Sequence, residues 1–176
     1  PEVTYVHHLT VEVGGVGLGL HHGRGETGDH TWTWSPSRSA ITCGDFLIRN
    51  YPNAGNPQKV QRFPAEWAVS LRQMAAMEPE LLLPAHGLPI AGADRIAAVL
   101  DDVAGTLEDL VARVVGLMND GVKLDEIVHS VRVPAEQRAK PYPRPRYDPP
   151  DFVVRHHPRA SGGLGAAHPG PRQPPA

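Results

Sequence analysis

The chain has 176 residues, of which 40% are hydrophobic, and its 17 basic and 19 acidic residues leave a formal net charge of −2. This length fits one ordinary domain, and the near balance of charge argues against a basic nucleic-acid groove. No run approaches the roughly 18 apolar residues that cross a bilayer, and the first residues do not resemble a signal peptide. The single Cys43 cannot form an internal disulfide, so we expect a cytoplasmic protein whose partner is neither nucleic acid nor membrane.

The first part of the chain has the pattern of short strands. Apolar and polar residues alternate on both sides of Gly14-Gly15, which predicts a hairpin with a tight turn. A polar, glycine-rich loop follows the hairpin, and the turn composition Ser-Pro-Ser-Arg separates two further strands. The predicted strands are 9–13, 16–20, 31–34 and 39–43.

The next elements alternate between helix and strand. Pro64 is suited to the first position of a helix, because that position needs no backbone N–H donor. Residues 81–83 are three leucines, which predict a short buried strand that ends in a Gly/Pro loop containing His86. Loops directly after strands are common places for functional residues.

A long amphipathic helix is predicted over residues 94–118. Its apolar stripe is expected to be wider than one domain can cover, which favours self-association. Gly121 is suited to the left-handed position that ends such a helix, and a shorter helix is predicted over 124–131. Residues 155–176 are rich in Gly, Pro, Ala and His without an apolar period, so we expect a disordered tail.

Three side chains are candidates for metal chemistry: Glu26, Asp45 and His86. Each follows an apparent strand, and carboxylates and imidazoles are the groups that hold zinc, manganese or iron at hydrolytic sites. Residue type alone leaves an alternative open, because an Asp after Gly often caps a turn and a loop His is usually solvated. The order and the surrounding sequence favour the metal interpretation.

Gly25-Glu26-Thr27, Thr42-Cys-Gly-Asp45 and Leu-Leu-Leu-Pro-Ala-His86-Gly occur in this order with two strands and a helix between them. This arrangement resembles the second half of the metallo-β-lactamase fold. The wider family has His where Glu26 stands, whereas its alkylsulfatase-like branch has Glu, and Gly-Glu-Thr-x-Asp-His-Thr-Trp resembles that branch. The segments 53–62 and 117–129 resemble it as well, so the resemblance covers about residues 3–154.

The resemblance implies an α/β fold: the second half of an αββα sandwich, followed by a helical, dimerisation-like segment and the tail. The implied domains are 1–93 for the hydrolase half, 94–154 for the helical segment and 155–176 for the disordered tail. A homodimer is expected, because members of this branch continue into a helical dimerisation segment.

The resemblance also implies the role of each candidate ligand. Asp45 would bridge two zinc ions and be the catalytic carboxylate, Glu26 would complete one ion and His86 the other, with manganese or iron as alternatives to zinc. A metal-activated water would hydrolyse a small-molecule ester or sulfate ester. The family motif His-x-His-x-Asp-His, which supplies four further ligands, does not occur in this sequence. We therefore expect an incomplete fragment with weak or no activity; the alternative is a non-catalytic interaction or dimerisation protein derived from such a hydrolase.

Further residues receive supporting roles. His30 and Asp29 are expected to hold Glu26 or a bound water by hydrogen bonds, as groups around metal ligands commonly do. Lys59 and Arg62 lie where the resemblance places residues that approach the substrate, and such cations suit a sulfate or phosphate ester. The alternatives are a solvated side chain for His30, loop capping for Asp29 and a solvated basic loop for Lys59 and Arg62. The three tryptophans are expected in the core, and the paired histidines 7–8 and 21–22 are expected to be structural or solvated.

Overall fold

The computed structural model describes residues 2–48, 52, 54, 62–140 and 154. Its strands are β1 (His8–Val13), β2 (Val16–Gly23), β3 (His30–Ser35), β4 (Ala40–Gly44), β5 (Leu81–Pro84) and β6 (Ile90–Ala91). Its helices are α1 (Pro64–Ala75), α2 (Ala93–Asn119), α3 (Leu124–Ser130) and α4 (Ala135–Ala139), and a short 3-10 turn spans Pro36–Arg38.

The six strands form one mixed sheet whose spatial order follows the chain, from β1 to β6. All neighbouring strands are antiparallel except β4 and β5, which are parallel and are joined through α1. The β1–β2 turn holds Gly14 at φ 57° and Gly15 at φ 78°. Both angles lie in the left-handed region that glycine adopts without strain, so this dipeptide closes the predicted hairpin.

Helices α1 and α2 pack against each other and contact the sheet through β2, β5 and β6. We call these two helices the helix layer. Pro64 is the first residue of α1, as its missing N–H predicts. One hydrophobic cluster joins sheet and helices; its largest fully buried members are Trp32, Ile41, Phe46, Leu47, Trp67, Leu71, Met74, Leu82, Ile96, Leu100 and Leu107. Cys43 is buried and free within this core.

The predicted α/β class is confirmed, and every predicted helix and strand occurs within a few residues of its expected bounds. Trp32 and Trp67 are buried as expected, while Trp34 is partly buried against the core. The hydrophobic cluster continues from Leu82 to Leu107 across the predicted domain boundary at residue 93, and that boundary stays a prediction. The expected disordered tail lies outside the described residues.

The expectation of an uncovered apolar stripe on α2 is wrong. Ile96, Leu107 and Val114 are at most 1% exposed, because α1, α3 and the segment after α3 cover this face within the chain. Burial of the stripe removes the argument for self-association that rested on it. The homodimer stays a prediction that rests on the family resemblance.

Among the described residues, no helix combines the length and the apolar character needed to cross a membrane.

Candidate active site

The sheet topology brings the candidate loops to one edge. β2, β4 and β5 all end at this edge of the sheet, and β3, which is antiparallel to β2 and β4, begins there. The β3–β4 register pairs Thr33 with Thr42, which places His30 beside Asp45 three residues further out. The β4–β5 register pairs Gly44 with Pro84 and brings His86 to the same place. We call this edge, with the loop 24–29, the strand-end edge.

Asp45 and His86 are close together at this edge. His86 Nε2 lies 3.4 Å from Asp45 Oδ1, and the backbone N–H of Ala85 donates to the Gly44 carbonyl at 3.1 Å, which ties the two loops together. Asp45 Oδ1 is buried and has no hydrogen-bond partner among the described residues, so the His86 contact lacks hydrogen-bond geometry. The His86 side chain is 74% exposed. A buried carboxylate oxygen without a donor, beside an accessible imidazole, is suited to receive a cation.

His30 contacts the backbone of Asp45. The Asp45 N–H donates to His30 Nε2 at 3.3 Å, and the ring stacks on Phe46 with centroids 4.2 Å apart. Burial lowers the pKa of His30, while the charges of Asp45 and Asp29 act in the opposite direction. Because Nε2 accepts a hydrogen bond, the neutral ring carries its proton on Nδ1, which is buried without a partner among the described residues. His30 therefore positions the loop that carries Asp45.

Gly44 is the residue that allows this contact. Its φ is +54°, and a Cβ built on it would lie 2.7 Å from His30 Nε2. Any side chain here would meet both backbone strain and a direct clash with the imidazole. In this Gly-Asp pair the glycine leaves space for the His30 ring, and the aspartate side chain contacts His86.

Glu26 is held by Arg62, which the chain places just before α1. Arg62 Nη1 lies 2.6 Å from Glu26 Oε1 and donates to the Glu26 carbonyl at 2.6 Å. The Phe63 N–H donates to the Gly25 carbonyl at 3.0 Å, so backbone and side-chain contacts together fix this loop. The Arg62 side chain is 2% exposed. Asp29 is exposed on the same loop, and Lys59 lies outside the described residues.

The fit of these residues to a metal is partial. Asp45 and His86 lie close together, but no group of three or more His, Cys, Asp or Glu side chains suited to one ion occurs in the described part of the chain. Glu26 instead contacts a cationic side chain. The metal-binding, supporting and substrate-binding roles of the predicted site residues stay predictions.

Sequence reasoning missed Phe46 and the role of Arg62 at Glu26. Phe46 stacks on His30, and its carbonyl accepts a 2.9 Å hydrogen bond from Trp67 Nε1. A buried aromatic directly after Gly-Asp was an available signal, because such a residue anchors the loop to the core. The Arg62–Glu26 pair joins residues far apart in sequence, and nothing in the local pattern indicates it.

Comparison with known proteins gives relatives that share this fold. The sequence is 24% identical over 160 residues to the linear primary-alkylsulfatase of a Pseudomonas species, covering 88% of this chain and 30% of that protein. The stereoselective inverting sec-alkylsulfatase Pisa1 from Pseudomonas sp. superimposes with a TM-score of 0.84 at 23% identity, covering 100% of this chain and 29% of the other. The chain thus spans less than a third of the length of these relatives.

A metallo-β-lactamase family protein from Thermus thermophilus superimposes with a TM-score of 0.54 at 16% identity, covering 90% of this chain and 49% of that protein. No protein-family model matches the sequence. The described residues therefore have the metallo-β-lactamase fold, and the chain resembles the alkylsulfatase-like branch of that fold.

Proposed function

We propose that this chain forms part of the active site of a metal-dependent hydrolase that cleaves a sulfate ester or a related ester. The observation that carries the proposal is the buried Oδ1 of Asp45, which has no hydrogen-bond donor among the described residues and lies 3.4 Å from His86 Nε2. The chain is similar in sequence to the linear primary-alkylsulfatase and in fold to the sec-alkylsulfatase, which supports the choice of a sulfate ester.

Asp45 and His86 would hold the metal, with zinc as the first choice and manganese or iron as alternatives. Glu26 is the third proposed ligand, and Arg62 would orient and partly neutralise its carboxylate. The remaining ligands would come from outside the described residues. When bound, the metal would supply a water of lowered pKa and electrostatic stabilisation of the charge that develops on the ester.

The chain's own residues have separate tasks in this proposal. His30 holds the Asp45 backbone through Nε2, so that the carboxylate keeps its position beside His86. Gly44 leaves the space that this contact needs. Because the guanidinium of Arg62 is engaged with Glu26, it would act on the reaction through that carboxylate; direct contact of Lys59 or Arg62 with a sulfate group stays a prediction.

A metal-binding measurement tests whether Asp45 is a metal ligand. We expect the purified chain to bind zinc weakly and substoichiometrically, and Asp45→Asn to lower that binding, since it replaces a charged oxygen ligand by an amide. Asp94→Asn is the matched control, because Asp94 is exposed on α2 away from the strand-end edge. Equilibrium dialysis with metal analysis measures both variants. Equal zinc binding by Asp45→Asn and the wild-type chain would contradict the assignment.

An activity measurement tests the proposed hydrolysis. We expect a chimera that joins this chain to the preceding region of a sec-alkylsulfatase to hydrolyse a sulfate ester in a metal-dependent manner. In that chimera Asp45→Asn should lower the rate more than His30→Ala, because groups that only position a ligand typically contribute about 10–100-fold. Glu26→His, which installs the commoner ligand of the wider family, should retain metal while changing the rate. Full activity and full metal content of the Asp45→Asn chimera would refute the proposal.

A further inference from the structure

A pair of histidines lies directly across the β1–β2 ladder. The register pairs His8 with His21, and their ring centroids are 4.6 Å apart at an interplanar angle of 55°. Directly opposite residues of an antiparallel pair project to the same face of the sheet. The two imidazoles therefore share one face, and neither ring forms a hydrogen bond within the described residues.

Gly19 gives the two rings a common space. It precedes His21 by two residues on β2, so its missing side chain would point to the same face. A Cβ built on Gly19 would lie 3.2 Å from Nε2 of His21 and 3.2 Å from Nε2 of His8. The two nitrogens thus lie equally far from one point that a glycine leaves empty.

The surroundings hold this pair in place. The His21 ring stacks on the buried Trp32 ring at 4.0 Å with an angle of 7° between the planes. A cavity of about 430 Å³ opens here, and it is lined by His7 and His22 as well as by this pair, and by Gln73 and Met77 near the end of α1. Burial, and then the neighbouring His8, lower the pKa of His21, which favours the neutral form that a metal ligand requires.

The site lies on β1 and β2, whereas Asp45 and His86 follow β4 and β5, and β3 lies between these two groups of strands. Its helical wall is the C-terminal end of α1, whereas Arg62 and Phe63, which hold the Glu26 loop, precede the N-terminal end of the same helix. His22 is not part of it, because its Nε2 contacts the Gly28 carbonyl at 2.9 Å.

We propose that His8 and His21 bind a divalent transition-metal ion through their Nε2 atoms, with Cu²⁺ bound most tightly. Imidazole nitrogens suit copper, nickel and zinc, and copper heads the affinity order among the divalent first-row metals. No group of three metal-binding side chains occurs in the described residues, so these residues supply two ligands to the ion.

Titration of the full chain with CuCl₂ tests the proposal, with tryptophan fluorescence and electron paramagnetic resonance as readouts. Cu²⁺ should quench the fluorescence of Trp32, because this side chain stacks on His21. The electron paramagnetic resonance spectrum of the bound Cu²⁺ should show nitrogen ligands. His8→Gln should abolish this binding event; because His8 is exposed, the variant is expected to fold. His129→Gln is the matched control and should leave binding unchanged.

A pair of glycine variants tests the geometry without removing a ligand. Gly19→Ala should weaken Cu²⁺ binding, because its methyl group fills the space between the two nitrogens. Gly17→Ala, two residues earlier on the same strand, should not, since nothing lies within 4 Å of its Cβ position. The Asp45→Asn/His86→Ala double variant should retain the quenching, which separates this site from the proposed active site. Undiminished quenching and an unchanged copper spectrum in His8→Gln/His21→Gln would overturn the proposal.

Discussion

The helix layer and the strand-end edge satisfy their polar groups differently. In the helix layer, Arg72 of α1 contacts Asp101 at 2.6 Å and Glu108 at 2.8 Å on α2, all at the solvent-exposed surface. At the strand-end edge, Asp45 Oδ1 and His30 Nδ1 are buried without hydrogen-bond partners among the described residues. Folded proteins rarely leave such atoms unsatisfied, because each costs free energy. The helix layer thus pairs its charges at the surface, whereas the edge has buried polar atoms without a hydrogen-bond partner among the described residues.

The largest expected effect is on the helix layer. Leu107→Ala should lower the free energy of unfolding by about 2–5 kcal/mol, because Leu107 is fully buried and the substitution leaves a cavity. His86→Ala should change it by less than about 0.5 kcal/mol, since that side chain is mostly exposed. Urea denaturation followed by circular dichroism measures both. Equal destabilisation by the two variants would contradict the expected difference between the helix layer and the strand-end edge.

A smaller effect is expected at Gly44, where the backbone has a positive φ and the His30 ring occupies the space of a side chain. Gly44→Ala should destabilise the chain by about 1–3 kcal/mol, since it combines a positive φ with a clash against His30. Gly121→Ala is the matched control: its φ is +75°, but nothing lies within 4 Å of the Cβ position, so it carries the strain alone.

The difference between the free energies of unfolding of these two glycine variants isolates the clash with His30. His30→Ala in the Gly44→Ala background should recover part of the loss, because it removes the imidazole. No recovery in a double-mutant cycle would show that His30 does not constrain Gly44.

The smallest effect is expected at the surface ion pairs of the helix layer. The hydrogen bond from Arg72, with its charge as a lesser contribution, holds the pKa of Glu108 below its ordinary value against the opposing effect of desolvation. A carboxyl whose pKa is depressed by folding stabilises the protein above its unfolded pKa, and this contribution is lost as the pH falls through the folded pKa.

Glu108→Gln should therefore lower the free energy of unfolding at pH 7 by less than about 1 kcal/mol, because the pair is nearly half exposed. The difference from wild type should shrink as the pH falls below the ordinary carboxyl pKa of about 4, and should disappear below the depressed pKa of the folded chain. Glu66→Gln, in the longer 3.4 Å pair with Arg24, should have a smaller effect still. Urea denaturation of Glu108→Gln and wild type at pH 7 and in acid measures this. The same difference in free energy of unfolding at the two pH values would exclude the ionic explanation.

Local patterns predicted much of the fold. Gly14-Gly15 identified the hairpin, Pro64 identified the start of α1, and the apolar period identified α2. β6 and α4 were missed, because two residues of strand and five of helix carry too short a period to recognise. Their formation depends on neighbours, such as the pairing of Ile90 with Leu82.

The site was predictable only in its order along the chain. Asp45 and His86 each follow the end of a strand, and these two strands are parallel neighbours. The two residues therefore lie at the same edge of the sheet. The partners of Glu26 and His30 could not be inferred, since they depend on how side chains orient after distant segments meet. Coverage of the α2 stripe was misjudged for the same reason: amphipathic period shows which face is apolar and not what covers it.

The parallel pairing of β4 with β5 has a consequence for the order of folding. Hairpins β1–β2 and β2–β3 join neighbours in sequence, so little chain entropy is lost when they form. The β4–β5 pair must close over the whole connection that contains α1, and pairings of such separation are slow. Asp45 and His86 lie at the ends of these two strands. Their encounter therefore depends on this long-range closure, so the contact between these two side chains is expected to be among the later features to form as the chain folds.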